Sequence, residues 1–330
     1  MIRKICISLA FLCVATCWQL KELRMPGAEP QHGEQYLCTS MNVSTANPNY
    51  IVGFVPHASM HTVHHILLFG CASPGTRDDI WDCGEMESEN GKKLFYEPGP
   101  VCSRGSQIVY AWARDAPQLK LPDGVGFMTG SGSQIRYLVM QVHYMHAMDQ
   151  PDYSGLTIKS TSREMPRKAS VLLMATGGMI KSHSSDNFET ACVVDDKDVE
   201  VHPFAFRTHT HKRGRVVSGY VVDGETGEWK LIGKKNPMLP QMFYPVDNKN
   251  LVIKTNDILA ARCTMVNEED RDIYIGSTGN DEMCNFYMMY WVDNDRPLDS
   301  TTCFSPGPPD YYWKNQKVLK NIPDKDASSL

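Results

Sequence analysis

A chain of 330 residues with a net charge of −5, 42% hydrophobic and 22% charged, has the composition of an ordinary globular protein long enough for two modest cores. That charge and the lack of a basic run exclude a nucleic-acid binder, and without a phosphate-binding GKS/T loop nothing favours a nucleotide cofactor.

The first residues read as an export signal. Arg3 and Lys4 precede an apolar run at residues 5–16, and small Ala15 and Cys17 suit cleavage near Trp18, so residues 1–17 are expected to be a signal peptide. The run is shorter than the roughly 20 residues of a membrane helix, which disfavours the competing reading of an uncleaved anchor. No later stretch is apolar enough to span a bilayer, so no stable membrane anchor is expected.

Beyond it, short runs rich in β-branched and aromatic residues alternate with Gly, Pro and Asp clusters. They are IVGFV from Ile51, HILLFG from His65, IRYLVMQVHY from Ile135, VLLMA from Val171, RVVSGYVV from Arg215 and NLVIK from Asn250. Long helical periodicity is scarce. The pattern predicts an all-β chain, and its length favours two tandem antiparallel β-sandwich domains over one. The polar stretch TSREMPRK, which contains Pro166, reads as the linker. A first domain is therefore expected at 30–165, a second at 166–315, and a polar, mobile tail at 316–330. ESENGKKLFYEPGP, between Cys83 and Cys102, reads as a surface loop without chemistry, and Asn42-Val43-Ser44 is the one glycosylation sequon.

The residues that carry chemistry are histidines: adjacent His64 and His65, His143 in QVHY, and His209 and His211 in HTH, with Met283 in DEMCNFY. Strand alternation puts His209 and His211 on one face with Thr210 turned away, a plausible chelate. Gln141 shares a face with His143, where it can line the site or orient a ligand. His64 and His65 would point apart on a regular strand. They can share one ion only if the strand ends or bulges there, or if different ring nitrogens are used. Singly, each has a blander reading: a lone strand histidine is usually a hydrogen-bonded core group, and Met283, one of 18 methionines, would be core filler. Together they form one set of three imidazoles and another of two imidazoles with a thioether, a soft ligand that copper cycling through Cu(I) accepts. Two copper ions per chain are expected.

Eleven cysteines become eight once Cys6, Cys13 and Cys17 leave with the signal, an even number suited to disulfides in an oxidising compartment. No CxxC spacing supports metal ligation by cysteine.

In order and in local sequence these segments resemble the peptidylglycine α-hydroxylating monooxygenases, a family of copper type II ascorbate-dependent enzymes. The resemblance runs over residues 36–302 through VPHASMHTVHHILLFGC, YAWARDAP, LPDGVGF, QVHY, FAFRTHTH, GRVVSGY, LIGKKNPMLPQMFYPV, DILAARC and DEMCNFYMMYW. It implies an electron-transfer copper on His64, His65 and His143, and a copper where oxygen reacts on His209, His211 and Met283, with the active site between the two domains. It also marks Arg207, Asn285 and Tyr287 as the anchor for the carboxylate of a glycine-extended peptide, and an Arg fork with a Tyr hydroxyl and an Asn amide suits such a group. Out of context, Arg207 would read as a solvated strand-edge charge.

The family pattern further implies disulfides Cys38 to Cys83, Cys71 to Cys102, Cys192 to Cys303 and Cys263 to Cys284. Implied partners are ascorbate as reductant, O2 as co-substrate and a secretory-granule or extracellular setting, with peptidyl-α-hydroxyglycine as product. Because the chain ends at Leu330, soon after Cys303, a separate lyase is expected to finish amidation. Two rivals stand beside this reading. The related phenethylamine β-hydroxylases share the copper motifs but have no use for the carboxylate anchor. A secreted copper- or peptide-binding protein without turnover would keep the ligands but hydroxylate nothing.

Overall fold

The structure, a computed structural model, describes residues 18–84, 95–276, 280–293 and 296–330. The signal expected at 1–17 and most of the loop expected ahead of Cys102 lie outside the described residues.

Nearly everything described is strand, turn or loop, as the period-2 runs dictate. A five-stranded sheet runs in the order Trp81–Asp82, Gln35–Asn42, Tyr137–Tyr144, His65–Pro74, Cys102–Ala113. A four-stranded sheet runs Ser184–Val193, Ile258–Asn267, Gly214–Val222, Trp229–Lys235. Between them lies one long sheet shared by both halves of the chain. Its path is Trp18–Arg24, Gly155–Thr161, Pro48–His57, Val125–Gly130, Arg167–Thr176, Asn285–Asp293, Glu200–His209, Tyr244–Pro245. The two sandwiches are thus hydrogen-bonded at their junction, where Arg167 and Lys168 pair in parallel with Val125 and Gly126. The expected linker is a strand entry rather than a free tether.

Asn285–Asp293 and Arg167–Thr176 are buried on both faces, which is why they read as near-continuous apolar runs. Phe286, Met288, Tyr290 and Val292, with Leu172 and Met174, pack into the second sandwich against Phe188, Val217 and Met265. Tyr287 and Met289, with Ala169, Val171 and Ala205, turn the other way and join the core of the first sandwich around Phe54, Trp112, Phe127 and Val142. The face bearing Ala205, Arg207 and His209 therefore looks at the first sandwich.

Cys38 pairs with Cys83, Cys71 with Cys102, Cys192 with Cys303 and Cys263 with Cys284, the same four bridges as in the family pattern. Two expectations need correction. The strand Trp18–Arg24, ahead of the range expected for the first domain, is paired along its whole length with Gly155–Thr161, so that sandwich begins earlier than residue 30. The tail at 316–330 is docked rather than mobile. Leu319 and Ala327 are buried against Tyr220, Val222, Ile258 and Trp313, Arg262 bonds to Asp324 and Ser328, and Tyr220 bonds to Asp326. Its polar composition concealed side chains that cap a charged and aromatic surface of the second sandwich. Among the described residues no helix is long and apolar enough to cross a membrane.

Candidate metal centres and carboxylate anchor

His65 and His143 are cross-strand partners in the five-stranded sheet. His64 sits just ahead of the strand His65–Pro74, where the chain has left regular alternation, and its amide donates to the His143 carbonyl at 2.9 Å. This entry position settles how two adjacent histidines face the same point. Nδ1 of His64 lies 3.1 Å from Nδ1 of His143 and 3.2 Å from Nδ1 of His65, so the three rings present the same type of nitrogen to one centre. Candidate ligand atoms of the three all lie within 4.8 Å of one another. Three unprotonated imidazoles so arranged fit a soft or borderline cation better than hydrogen bonds among themselves.

The outer edge of the His143 ring is held. His143, 3% exposed, bonds through Nε2 to Glu34 at 2.9 Å and is stacked on Tyr36 with ring centroids 4.1 Å apart. The carboxylate favours the Nε2-protonated tautomer and leaves Nδ1 for a metal. Burial, with the His64 charge second, lowers the His143 pKa to about 4 although Glu34 pulls it up. Burial likewise holds His65 well below the ordinary imidazole value and lowers His64. The set is neutral at physiological pH, as ligation requires.

His209 ends the strand Glu200–His209, and His211 follows in the turn beyond it, with ring centroids 5.4 Å apart. Both have Nδ1 engaged: His209 with the Gln241 side-chain oxygen at 2.5 Å, His211 with the Asp281 carbonyl at 3.0 Å. That leaves the two Nε2 atoms for a metal. Met283 lies two residues before Asn285, the register partner of His209, so its thioether stands at the same end of the sheet. The Asn285 amide reaches its sulfur at 3.7 Å. Burial, then the Arg207 charge, holds His209 well below the ordinary imidazole value. The Arg207 charge is also a minor contributor to the lowering at His65, behind burial and the neighbouring histidines.

Arg207 pairs in register with Tyr287, and Asn285 donates to the Tyr287 hydroxyl at 3.4 Å. The guanidinium lies 4.9 Å from the Tyr287 ring centroid and is 2% exposed. Its Nε donates to the Gln241 carbonyl at 2.8 Å, while among the described residues Nη1 has no hydrogen-bond partner. A buried guanidinium nitrogen left without an acceptor is costly, and a carboxylate would satisfy it.

The Gln141 amide turns to the Cys83 carbonyl at 3.3 Å, bracing a disulfide rather than orienting an imidazole. Gln241, Glu34 and Glu282 hold candidate ligand residues but were not legible as such. Gln241 sits in a loop 32 positions from His209, and only its place inside LIGKKNPMLPQMFYPV flagged the segment. Asn42 is exposed at the end of the strand Gln35–Asn42.

Residues 21–151 match the family model for the copper type II ascorbate-dependent monooxygenase N-terminal domain, and residues 167–316 match its C-terminal domain. The chain belongs to this family. The clusters fit its name: three imidazoles meet on the first half, and on the second two imidazoles stand at the same end of a sheet as a thioether. Such enzymes are oxidoreductases that use copper, ascorbate and O2. The chain is 39% identical to peptidyl-glycine alpha-amidating monooxygenase A of Xenopus laevis, over 92% of this chain and 30% of that protein. It is 38% identical to the Rattus norvegicus peptidylglycine alpha-amidating monooxygenase over the same shares. Dopamine beta-hydroxylase of Homo sapiens is more distant, at 28% over 72% of this chain and 39% of that protein. The chain thus spans about 30% of the length of the amidating relatives.

Proposed function

We propose that this chain hydroxylates the Cα of the C-terminal glycine of glycine-extended peptides, the first step of C-terminal amidation. The observation that carries this reading is that Nη1 of buried Arg207, on the face that carries His209, has no hydrogen-bond partner among the described residues. A peptide carboxylate accepting from Arg207 and Tyr287, with the Asn285 amide beside it, would hold the terminal glycine next to the second cluster. A phenethylamine has no anion to offer there. That difference, and the lower identity to dopamine beta-hydroxylase, favour the peptide reading.

In this assignment His64, His65 and His143 would hold one copper through Nδ1, and His209 and His211, through Nε2, would hold the other with Met283. Copper, when bound, supplies the one-electron redox chemistry with O2 that no side chain can perform. The stoichiometry is glycine-extended peptide plus O2, two electrons and two protons, giving peptidyl-α-hydroxyglycine and water, with ascorbate supplying the electrons. The chain's own work is positional: Glu34, Gln241 and the Asp281 carbonyl fix imidazole tautomers, and Arg207 fixes the substrate. The disulfide-rich fold is of the kind found in secretory and extracellular proteins, and we place the activity in a secretory granule or outside the cell, with a glycan on Asn42 and a lyase activity acting on the product. Oxygen uptake with ascorbate, copper and a glycine-extended peptide, followed by mass detection of a product heavier by one oxygen, tests the reading. Ascorbate-driven uptake with a phenethylamine and none with the peptide would overturn it.

A further inference from the structure

Hydrogen bonding between the strands Glu200–His209 and Asn285–Asp293 reaches its last register pair at His209 and Asn285. His211 and Met283 both lie beyond that point, in loops that sheet pairing no longer holds together. The His211 ring and the Arg213 guanidinium both reach the Asp281 carbonyl, and the Glu282 side chain ties the two backbones together. Glu282 is fully buried, and one carboxylate oxygen accepts from the backbone amides of His211 and, at 2.9 Å, Met283. The other accepts from the amides of Lys212 at 3.0 Å and Arg213 at 2.8 Å. The Arg213 guanidinium stands 3.8 Å away. The Glu282 backbone is pinned in turn, its amide to the Tyr274 carbonyl and its carbonyl to the Gly276 amide, each at 3.0 Å.

A buried carboxylate is expensive unless several donors meet it, and these amides do so as a nest around an anion. The arrangement joins the backbones of two candidate ligands through one carboxyl group. It matters most for the thioether. A thioether is a weak ligand, so its sulfur enters the metal shell only if the protein brings it to the right distance from the imidazoles.

We propose that Glu282 is a positioning residue whose buried carboxylate sets the distance between the Met283 sulfur and the His211 ring, and so decides whether the second site takes copper with a sulfur ligand. This rests on the two-site assignment above. It concerns how the site is built, since the Glu282 carboxylate is engaged by four backbone amides and the Arg213 guanidinium.

The test uses copper-loaded wild type, Glu282→Gln and Glu282→Asp, with Cu(I) titration, X-ray absorption of the ascorbate-reduced protein and thermal unfolding. Glu282→Gln should keep the first copper, lose the sulfur scatterer, and bind the second copper about 10 to 100 times more weakly, the usual cost of removing a ligand's support. Glu282→Asp keeps the charge but is one methylene short, so its second-site affinity should fall between those of Gln and wild type. A folded Gln variant, or a folded Asp variant if Gln does not fold, with wild-type sulfur signal and copper affinity would overturn the proposal even if it melted earlier. So would failure of both to fold, since a spacing clamp is not needed to form either sandwich. A wild-type protein without a sulfur scatterer would instead bring down the two-site assignment itself.

Discussion

At the scale of single residues, identity and surroundings make different demands. Met283→Ile keeps apolar bulk at a half-buried position and removes the sulfur. Hydroxylation should collapse while the fold and the first copper survive, and unchanged turnover would reduce Met283 to packing. For Arg207, a charge-assisted hydrogen bond contributes roughly 1.5 to 3 kcal/mol. Arg207→Ala should therefore lower kcat/KM by about one to two orders of magnitude for a substrate with a free terminal carboxylate. An esterified substrate should be poor with the native protein and indifferent to the change; equal losses on both would assign Arg207 to supporting the neighbouring cluster. The candidate ligands were legible because the histidine pair, QVHY, HTH and DEMCNFY occur together, in order and local sequence, as in one copper family. Their supports were not, because Gln241, Glu34 and Glu282 look like ordinary polar residues until folding brings them to a ring nitrogen or a backbone amide.

At the scale of elements, strand parity explains most of what is seen. Alternation on Asn285–Asp293 sends Phe286 and Met288 into one core and Tyr287 and Met289 toward the other, and the same rule aligns Arg207 with His209. The docked tail is the exception, since its polar residues act by contact rather than by period. Asp326 accepts from Tyr220 at 2.6 Å and from Lys234 at 3.0 Å, and these bonds lower its carboxyl from the usual 3.8. A depressed folded value means the contribution is complete above 3.8 and fades as pH falls through the lower folded value. The difference in Tm between wild type and Asp326→Asn should accordingly shrink in acid; a gap that widens there would reverse the assignment. Deleting residues 316–330 should cost more, because Leu319 and Ala327 leave an apolar surface and Arg262 loses Asp324 and Ser328. Calorimetry should show Tm lower by roughly 5 to 10 °C, from burial of about 1.5 to 3 kcal/mol for the leucine alone plus the lost polar contacts. An unchanged Tm would mean the tail only rests on the surface.

At the scale of the whole molecule, the shared sheet and the core that crosses the junction hold the two clusters on facing surfaces. Metal analysis of fully active protein should give two coppers per chain, and one copper would refute the pairing of the two sets. The sequence by itself determined the all-β class and the two-sandwich scale, because side-chain period is a local property written in residue order, and its family resemblance named the histidines and the methionine as candidate ligands. Only the tertiary structure decided which ring nitrogens converge, how His64 escapes strand alternation, that Gln141 supports a disulfide, that the tail is packed, and that Arg207 is buried with a donor unanswered among the described residues. Each depends on groups tens of residues apart in the chain, and no local pattern encodes such a meeting.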